Sequence, residues 1–296
     1  MLPPALGLLS NLVRTLPPSF DRPLAAAAGT LWSRLDPTRA GAVRANRDAL
    51  GARFPLPRPF VSYVEALAGW LRLLELSADE VRARTRVTGI DAFTEAARTR
   101  GVVLIAAHVG EWEWGAAALA ARGLPVVAVA GTQMSARWSP ALARAKERLG
   151  IDVVGPDVSA LRLVRALRAG GVVALLVDGD VASALAPAPL AGRTVDLPEG
   201  PARLAARTEA ALFAGRCERD RGARGAGHYH VRLEPLAVAD LDPHTTHVAV
   251  AAWLERTILE DPGRWCVFRP FFTARSAAPS AIAPDPGPGR SEAAAA

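Results

Sequence analysis

The stretch Val102-Val-Leu-Ile-Ala-Ala107, running directly into His108-Val-Gly-Glu-Trp-Glu-Trp-Gly-Ala116, decides how the chain is read. A short apolar run rich in β-branched residues reads as a buried strand. His108 and Glu113, five residues apart, therefore emerge together from that strand. Five helical residues rotate by about 140°, which would put the two side chains on different faces of one helix, so they must straddle a strand-to-helix turn. A neutral imidazole takes a proton from a hydroxyl, and a nearby carboxylate holds its other nitrogen in the right tautomer. The same residues also fit a plain strand end followed by a helix start where acidic side chains favour the macrodipole. Other segments must decide.

Outward from this run, short apolar segments alternate with helical stretches from about residue 87 on. Strands are expected at 102–107, 125–130, 151–154, 172–177, 211–216 and 229–235, and helices at 112–122, 138–149, 158–169, 200–209 and 245–260. This alternation predicts an α/β sheet covered by helices. Residues 1–75 read as short helices broken by Pro3-Pro4, Pro17-Pro18, Pro37 and the Pro55, Pro57 and Pro59 cluster. Residues 1–35, rich in Leu, Ala and Pro with Trp32, fit helices lying in a membrane interface, and equally an ordinary helical lid. The expected organisation is an N-terminal helical, membrane-associating region (1–86), an α/β domain (87–273) and a tail (274–296) whose Ala, Pro, Gly and Ser content predicts disorder. Residues 219–227 read as a mobile hairpin loop.

With 296 residues and 50% hydrophobic content the chain can bury a substantial core. Its net charge of +6 is carried almost wholly by arginine, Lys146 being the only lysine. Arginine suits phosphate recognition through its fork of donors. Nucleic acid is the generic partner of a basic chain, but no helix-turn-helix, zinc-finger spacing or basic-aromatic repeat is present. An anionic membrane surface or an acidic acyl carrier explains the sign as well. Cys217 and Cys266 lie far apart and read as buried free thiols. No stretch approaches about 20 uncharged apolar residues, and no signal peptide is evident.

Several further residues fall at element junctions, where an open α/β sheet exposes its working groups. Asp178 and Asp180 follow a strand, and a metal pair there is the weaker reading. Glu199 sits in Pro-Glu-Gly-Pro, which is either a helix cap or a close backbone approach to a ligand. Arg203 and Arg207, four apart on the following helix, read as solvated charges or as part of a phosphate site at a helix N-terminus. His228/His230 and His244/His247 are expected at the surface. No Gly-x-Ser-x-Gly elbow, phosphate loop or dinucleotide fingerprint appears.

The His108 run resembles the His-x4-Asp/Glu motif of bacterial glycerolipid-type acyltransferases, in the branch that acylates lipid A precursors and phosphatidylinositol mannosides. That branch carries His-x-Gly-Asn-Trp-Glu/Asp, and this chain departs from it at Glu111, where Asn is common. The resemblance runs from about residue 40 to 272. It takes in Arg44-Ala-Asn46 ahead of Phe54-Pro55, Leu176-Val-Asp178-Gly-Asp180, the Leu197–Thr208 block, and Glu260-Asp-Pro-Gly-Arg-Trp265 ahead of Arg269. It implies a central mixed sheet flanked by helices and an O-acyltransferase moving a fatty acyl group from acyl carrier protein or coenzyme A to a glycolipid hydroxyl. His108 is then the general base and Glu113 its orienting carboxylate. Glu111 is a lip residue whose charge raises the histidine pKa, Asp178 supports the site, and Glu199, Arg203 and Arg207 hold substrate. No metal or cofactor is implied. The location implied is peripheral, at the cytoplasmic face of the bacterial inner membrane. The alternative is a non-catalytic lipid-binding or interaction protein that keeps the fold.

Overall fold

Among the described residues, the α-helices α1 (Asp21–Leu35), α2 (Pro37–Ala49), α3 (Arg58–Leu73) and α4 (Ala78–Ala83) precede the first strand. The computed structural model describes Val13 and residues 15–129, 146–155, 158–179, 184–220, 226–238 and 242–272. Helix starts follow local chemistry. Asp36 caps α2 by accepting from the Arg39 backbone N–H, with Pro37 at the first helical position. Ser77 and Glu80 form a reciprocal capping box on α4.

There follow β1 (Thr85–Thr88), α5 (Ile90–Arg100), β2 (Val102–Ala106), α6 (Trp112–Ala120), β3 (Val126–Val129), β4 (Ile151–Val154), α7 (Ala160–Arg168) and β5 (Val172–Leu176). The chain continues through β6 (Leu185–Leu190), β7 (Arg193–Pro198), α8 (Gly200–Thr208), β8 (Ala211–Arg219), β9 (Tyr229–Pro235) and α9 (Pro243–Glu260). Seven strands form a mixed sheet in the order β1-β9-β8-β2-β5-β3-β4. β8, β2, β5, β3 and β4 run parallel, and β9 turns back antiparallel to β8 with β1 parallel beside it. This is the α/β class and mixed sheet expected. All six expected strands are present, and the helices expected at 112–122, 158–169, 200–209 and 245–260 appear within two residues of those bounds. The helix expected at 138–149 lies largely outside the described residues, as do most of the loop at 219–227, the tail and Asp180.

Both faces of the sheet are covered, which is why its central strands read as unbroken apolar runs. Val103, Ile105, Val173 and Leu212 pack towards Leu163, Leu167, Leu204 and Leu254 of α7, α8 and α9. Val102, Leu104, Val172 and Phe213 face Phe93, Trp114 and Leu119 of α5 and α6.

Strand β1 and the β6–β7 hairpin are additions to the sequence reading. In β6 the prolines at 187 and 189 are exposed while Ala188 and Leu190 are buried, and among the described residues β6 pairs with β7 alone, the edge-strand setting in which a chain tolerates proline. The hairpin turns on Ala191 and Gly192, both with positive φ, and the Ala191 N–H is held by Glu255.

Candidate active site

β2 and β5 are neighbours in parallel register, with Ala106 opposite Leu176. His108 and Asp178, each two residues further on, therefore leave the same edge of the sheet side by side. Asp178 Oδ1 lies 2.9 Å from His108 Nδ1, and Oδ2 accepts from both the His108 backbone N–H (2.8 Å) and Trp265 Nε1 (2.9 Å). An ionised carboxylate only accepts, so Nδ1 carries the imidazole proton and Nε2 keeps a lone pair. Among the described residues no group hydrogen-bonds Nε2. Both side chains are buried.

Electrostatics agree with that pairing. Burial opposes a charged imidazole, but the Asp178 charge and hydrogen bond outweigh it, with a smaller contribution from Glu113, and the His108 pKa is raised. Burial likewise pushes the Asp178 carboxyl up, yet His108 and the hydrogen bonds from His108 and Trp265 hold it below the ordinary value.

The segment after α9 closes over Asp178. Arg269 donates to the backbone carbonyls of Asp178 and Gly179 at 3.1 and 3.2 Å. The Cys266 N–H donates to the His108 carbonyl at 2.8 Å. Buried Asn46 of α2 anchors this segment by donating to the Arg269 carbonyl (2.8 Å) and accepting from the Phe271 N–H (2.8 Å). The turn between His108 and α6 requires a glycine. Gly110 has φ +72°, and a Cβ there would sit 2.3 Å from the Cys217 carbonyl oxygen.

Two sequence assignments change. The carboxylate on the His108 ring belongs to Asp178, not to Glu113, because the strand pairing delivers Asp178 to Nδ1 while Glu113 turns to Lys146, 2.7 Å away. Glu111 is not a lip residue. It is 3% exposed and bound to Arg219 of β8. Its pKa is raised, chiefly by burial, with Arg219 working against the shift.

Glu199 and Arg203 pair with each other at 2.9 Å, and both Arg203 and Arg207 are exposed. α8 leads back into β8, which runs parallel to β2, so Glu199 at its start lies towards the edge where His108 emerges. Arg207 sits in the last turn of that helix, not the first turns.

One histidine of each pair corrects the surface reading, while His244 is exposed as expected. His230 is buried between Arg86 and Thr88, and His247 is buried with Nε2 at 3.1 Å from the Ala186 carbonyl. Among the described residues no three His, Cys, Asp or Glu side chains gather in a metal-ligating group. Cys217 and Cys266 are buried free thiols, and burial raises both pKa values, which leaves them poor nucleophiles.

Beside the dyad, a partly open cavity runs between α6 and the sheet, bounded by Ala107 and Val109 on either side of His108. Ala106, Ala116, Ala128, Ala174 and Gly215 supply little bulk and so leave the space, while Leu104, Leu119 and Leu175 make it apolar. Glu113 and Lys146 contribute polar groups to its wall. Lys146 also lies over the Trp70 ring, 5.4 Å from its centroid. Trp265 and Lys146 were not singled out by role in the sequence. The signals available were the Trp in the closing block and the uniqueness of the lysine.

An α/β protein with a buried histidine–carboxylate pair at the C-terminal edge of parallel strands, beside an apolar cavity, has the equipment of an acyl-transfer enzyme. The family model for bacterial lipid A biosynthesis acyltransferases matches residues 6–273, and the chain belongs to that family. It is an acyltransferase of the lipid A biosynthesis type. No curated protein matches the chain.

Proposed function

We propose that His108 is the general base for direct transfer of a fatty acyl group from a thioester, on acyl carrier protein or coenzyme A, to a hydroxyl of a lipid A precursor or a similar glycolipid. The observation that carries this reading is the His108 ring itself, facing Asp178 at Nδ1 and, among the described residues, unengaged at Nε2, beside an apolar cavity. Nε2 takes the acceptor hydroxyl proton as the oxygen attacks the thioester carbonyl carbon. The C–S bond then breaks, and the imidazolium returns the proton to the leaving thiolate. Asp178 orients the ring and stabilises its charged form. The acyl chain lies in the cavity under α6. Lys146, held by Glu113, places an ammonium at the cavity wall to stabilise the oxygen on which negative charge develops. Glu199 and Arg203, at the start of α8, contact the acceptor.

The same reading places the protein peripherally on the anionic cytoplasmic face of the inner membrane. Phe20, just before α1, and Leu24, Leu31 and Leu35 along one face of it are exposed, and the chain carries a net charge of +6. Among the described residues no helix is long and apolar enough to cross a membrane.

The deciding experiment incubates the purified chain with acyl carrier protein and coenzyme A thioesters in parallel, with a lipid A precursor as acceptor, and follows product mass. The expected result is one added acyl chain in wild type and turnover about 10²–10⁴-fold lower in His108→Ala. Activity within a few-fold of wild type in His108→Ala overturns the assignment.

A further inference from the structure

The molecule buries a second set of charges that the chemistry above does not use. Asp21 on α1, Arg72 on α3, Glu111 in the catalytic loop and Arg219 at the end of β8 form one connected chain, with side-chain exposures of 4, 9, 3 and 11%. Arg219 Nε is 2.5 Å from Glu111 Oε1, its Nη1 is 2.7 Å from Asp21 Oδ2, and its Nη2 donates to the Glu65 carbonyl of α3. Asp21 is also gripped by Arg72, with contacts of 2.7 and 3.2 Å. We propose that Arg219 is a positioning residue for the acyl transfer, locking Glu111, and with it the loop from His108 to Glu113, onto the N-terminal helices. The proposal rests on the reading of His108 as the base.

Geometry carries the argument. Each nitrogen of the guanidinium binds a different element, a use of the planar fork that a lysine ammonium does not reproduce. Burying such charges is costly, and apolar residues of similar size often stabilise a fold better, so pure stability is a weak account of the network. Glu111 stands at the N-cap position of α6, yet its carboxylate caps nothing there and is turned to Arg219 instead. Its neighbour Trp112 packs edge-on against the His108 ring, with centroids 5.1 Å apart. A shift of Glu111 therefore moves the residue that abuts the imidazole. Space for the network is made at Gly69 of α3. A Cβ there would lie 2.5 Å from Glu111 Oε2, 3.1 Å from Arg219 Nη2 and 3.3 Å from the Tyr229 hydroxyl. Where the motif that the loop resembles has Asn, this chain combines a charged residue with a matching guanidinium and a bare helix face.

The test uses the full chain with Glu111→Gln, Arg219→Lys and the double variant, read by kcat, KM, thermal midpoint and hydrogen exchange at the amides of residues 109–113. Each single change is expected to lower kcat about 10- to 100-fold, the scale of a misplacement near 1 Å, with KM little changed and faster exchange in the loop. The double variant should be no slower than the slower single one, because both break the same link. Losses that multiply, or an unchanged kcat and unchanged loop exchange beside a lowered thermal midpoint, overturn the proposal. Should Arg219→Lys not fold, Glu111→Asn decides alone, since it leaves Arg219 its bonds to Asp21 and Glu65. The exchange measurement does not depend on turnover, so a failure of His108 as the base is distinguishable from a failure of this coupling.

Discussion

Replacing Asp178 by Asn probes the core of the site, and its effect follows atom by atom. Oδ2 takes two donors, the His108 backbone N–H and Trp265 Nε1, whereas Oδ1 faces only the His108 ring. The Asn carbonyl oxygen must stay where the two donors converge, because losing both acceptor contacts costs about 1–3 kcal/mol each. The amide NH2 then faces Nδ1, donor against donor, and the imidazole relieves this by moving its proton to Nε2. A ring protonated at Nε2 has no lone pair for the acceptor hydroxyl. Loss of the aspartate charge with the wrong tautomer costs about 10⁴-fold in kcat in a serine-protease triad, or about 5 kcal/mol of barrier, and a comparable loss is expected here. The fold should survive, since the substitution is isosteric and costs a fraction of a typical stability of about 5–15 kcal/mol. The pH profile provides a second reading. The base works when neutral, so the raised His108 pKa puts the acid limb of kcat/KM above the ordinary imidazole value of 6.5, and Asp178→Asn should move the limb of its residual activity to lower pH. Steady-state transfer assays from pH 5 to 9 measure both. A kcat within tenfold of wild type with an unmoved acid limb refutes the tautomer argument.

Glu113→Gln should lower turnover by releasing Lys146, but should move the acid limb less than Asp178→Asn, because Glu113 acts on the ring only through space; equal shifts would return the orienting role to Glu113. The dyad's own contribution to stability has a pH window. The lowered Asp178 pKa contributes above the ordinary 3.8 and is lost as pH falls, while the raised His108 pKa contributes below 6.5 and is lost as pH rises. Thermal midpoints of wild type relative to His108→Gln should therefore differ most between these values, and a difference that grows above pH 8 contradicts the pairing. Arg203→Ala deletes an exposed charge, so it should leave stability unchanged and raise the acceptor KM more than it lowers kcat, and an unchanged KM makes it a solvated helix charge. Leu24→Glu with Leu31→Glu on the exposed face of α1 should weaken binding to anionic vesicles in a sedimentation assay, and undiminished binding removes α1 from the membrane contact.

The sheet was legible because apolar runs bounded by turn residues carry their own period, and the His108 turn was legible because one continuous helix would put His108 and Glu113 on different faces. What local pattern does not carry is which strand lies beside which. Glu113 is near His108 in sequence, Asp178 is near it in space, and only the β2–β5 pairing separates the two. Arg219 was hidden for the same reason, being one of many arginines until β8 brings it to Glu111. β6 was missed because Leu-Ala-Pro-Ala-Pro-Leu has proline at alternate positions, a pattern tolerated in an edge strand such as β6, which among the described residues pairs with β7 alone.

His108 and Asp178 stand 70 residues apart in the chain, with α6, β3, β4, α7 and β5 between them. Their meeting has consequences for how the protein becomes active during folding. Closing so long a loop brings entropy loss before it brings contacts, and parallel strand pairing is among the slower steps available to a chain. A one-residue slip of β5 against β2 would present the opposite strand face and carry Asp178 away from the imidazole. Recovery of turnover after dilution from denaturant therefore times the registration of the two central strands, whereas recovery of helical signal times something earlier.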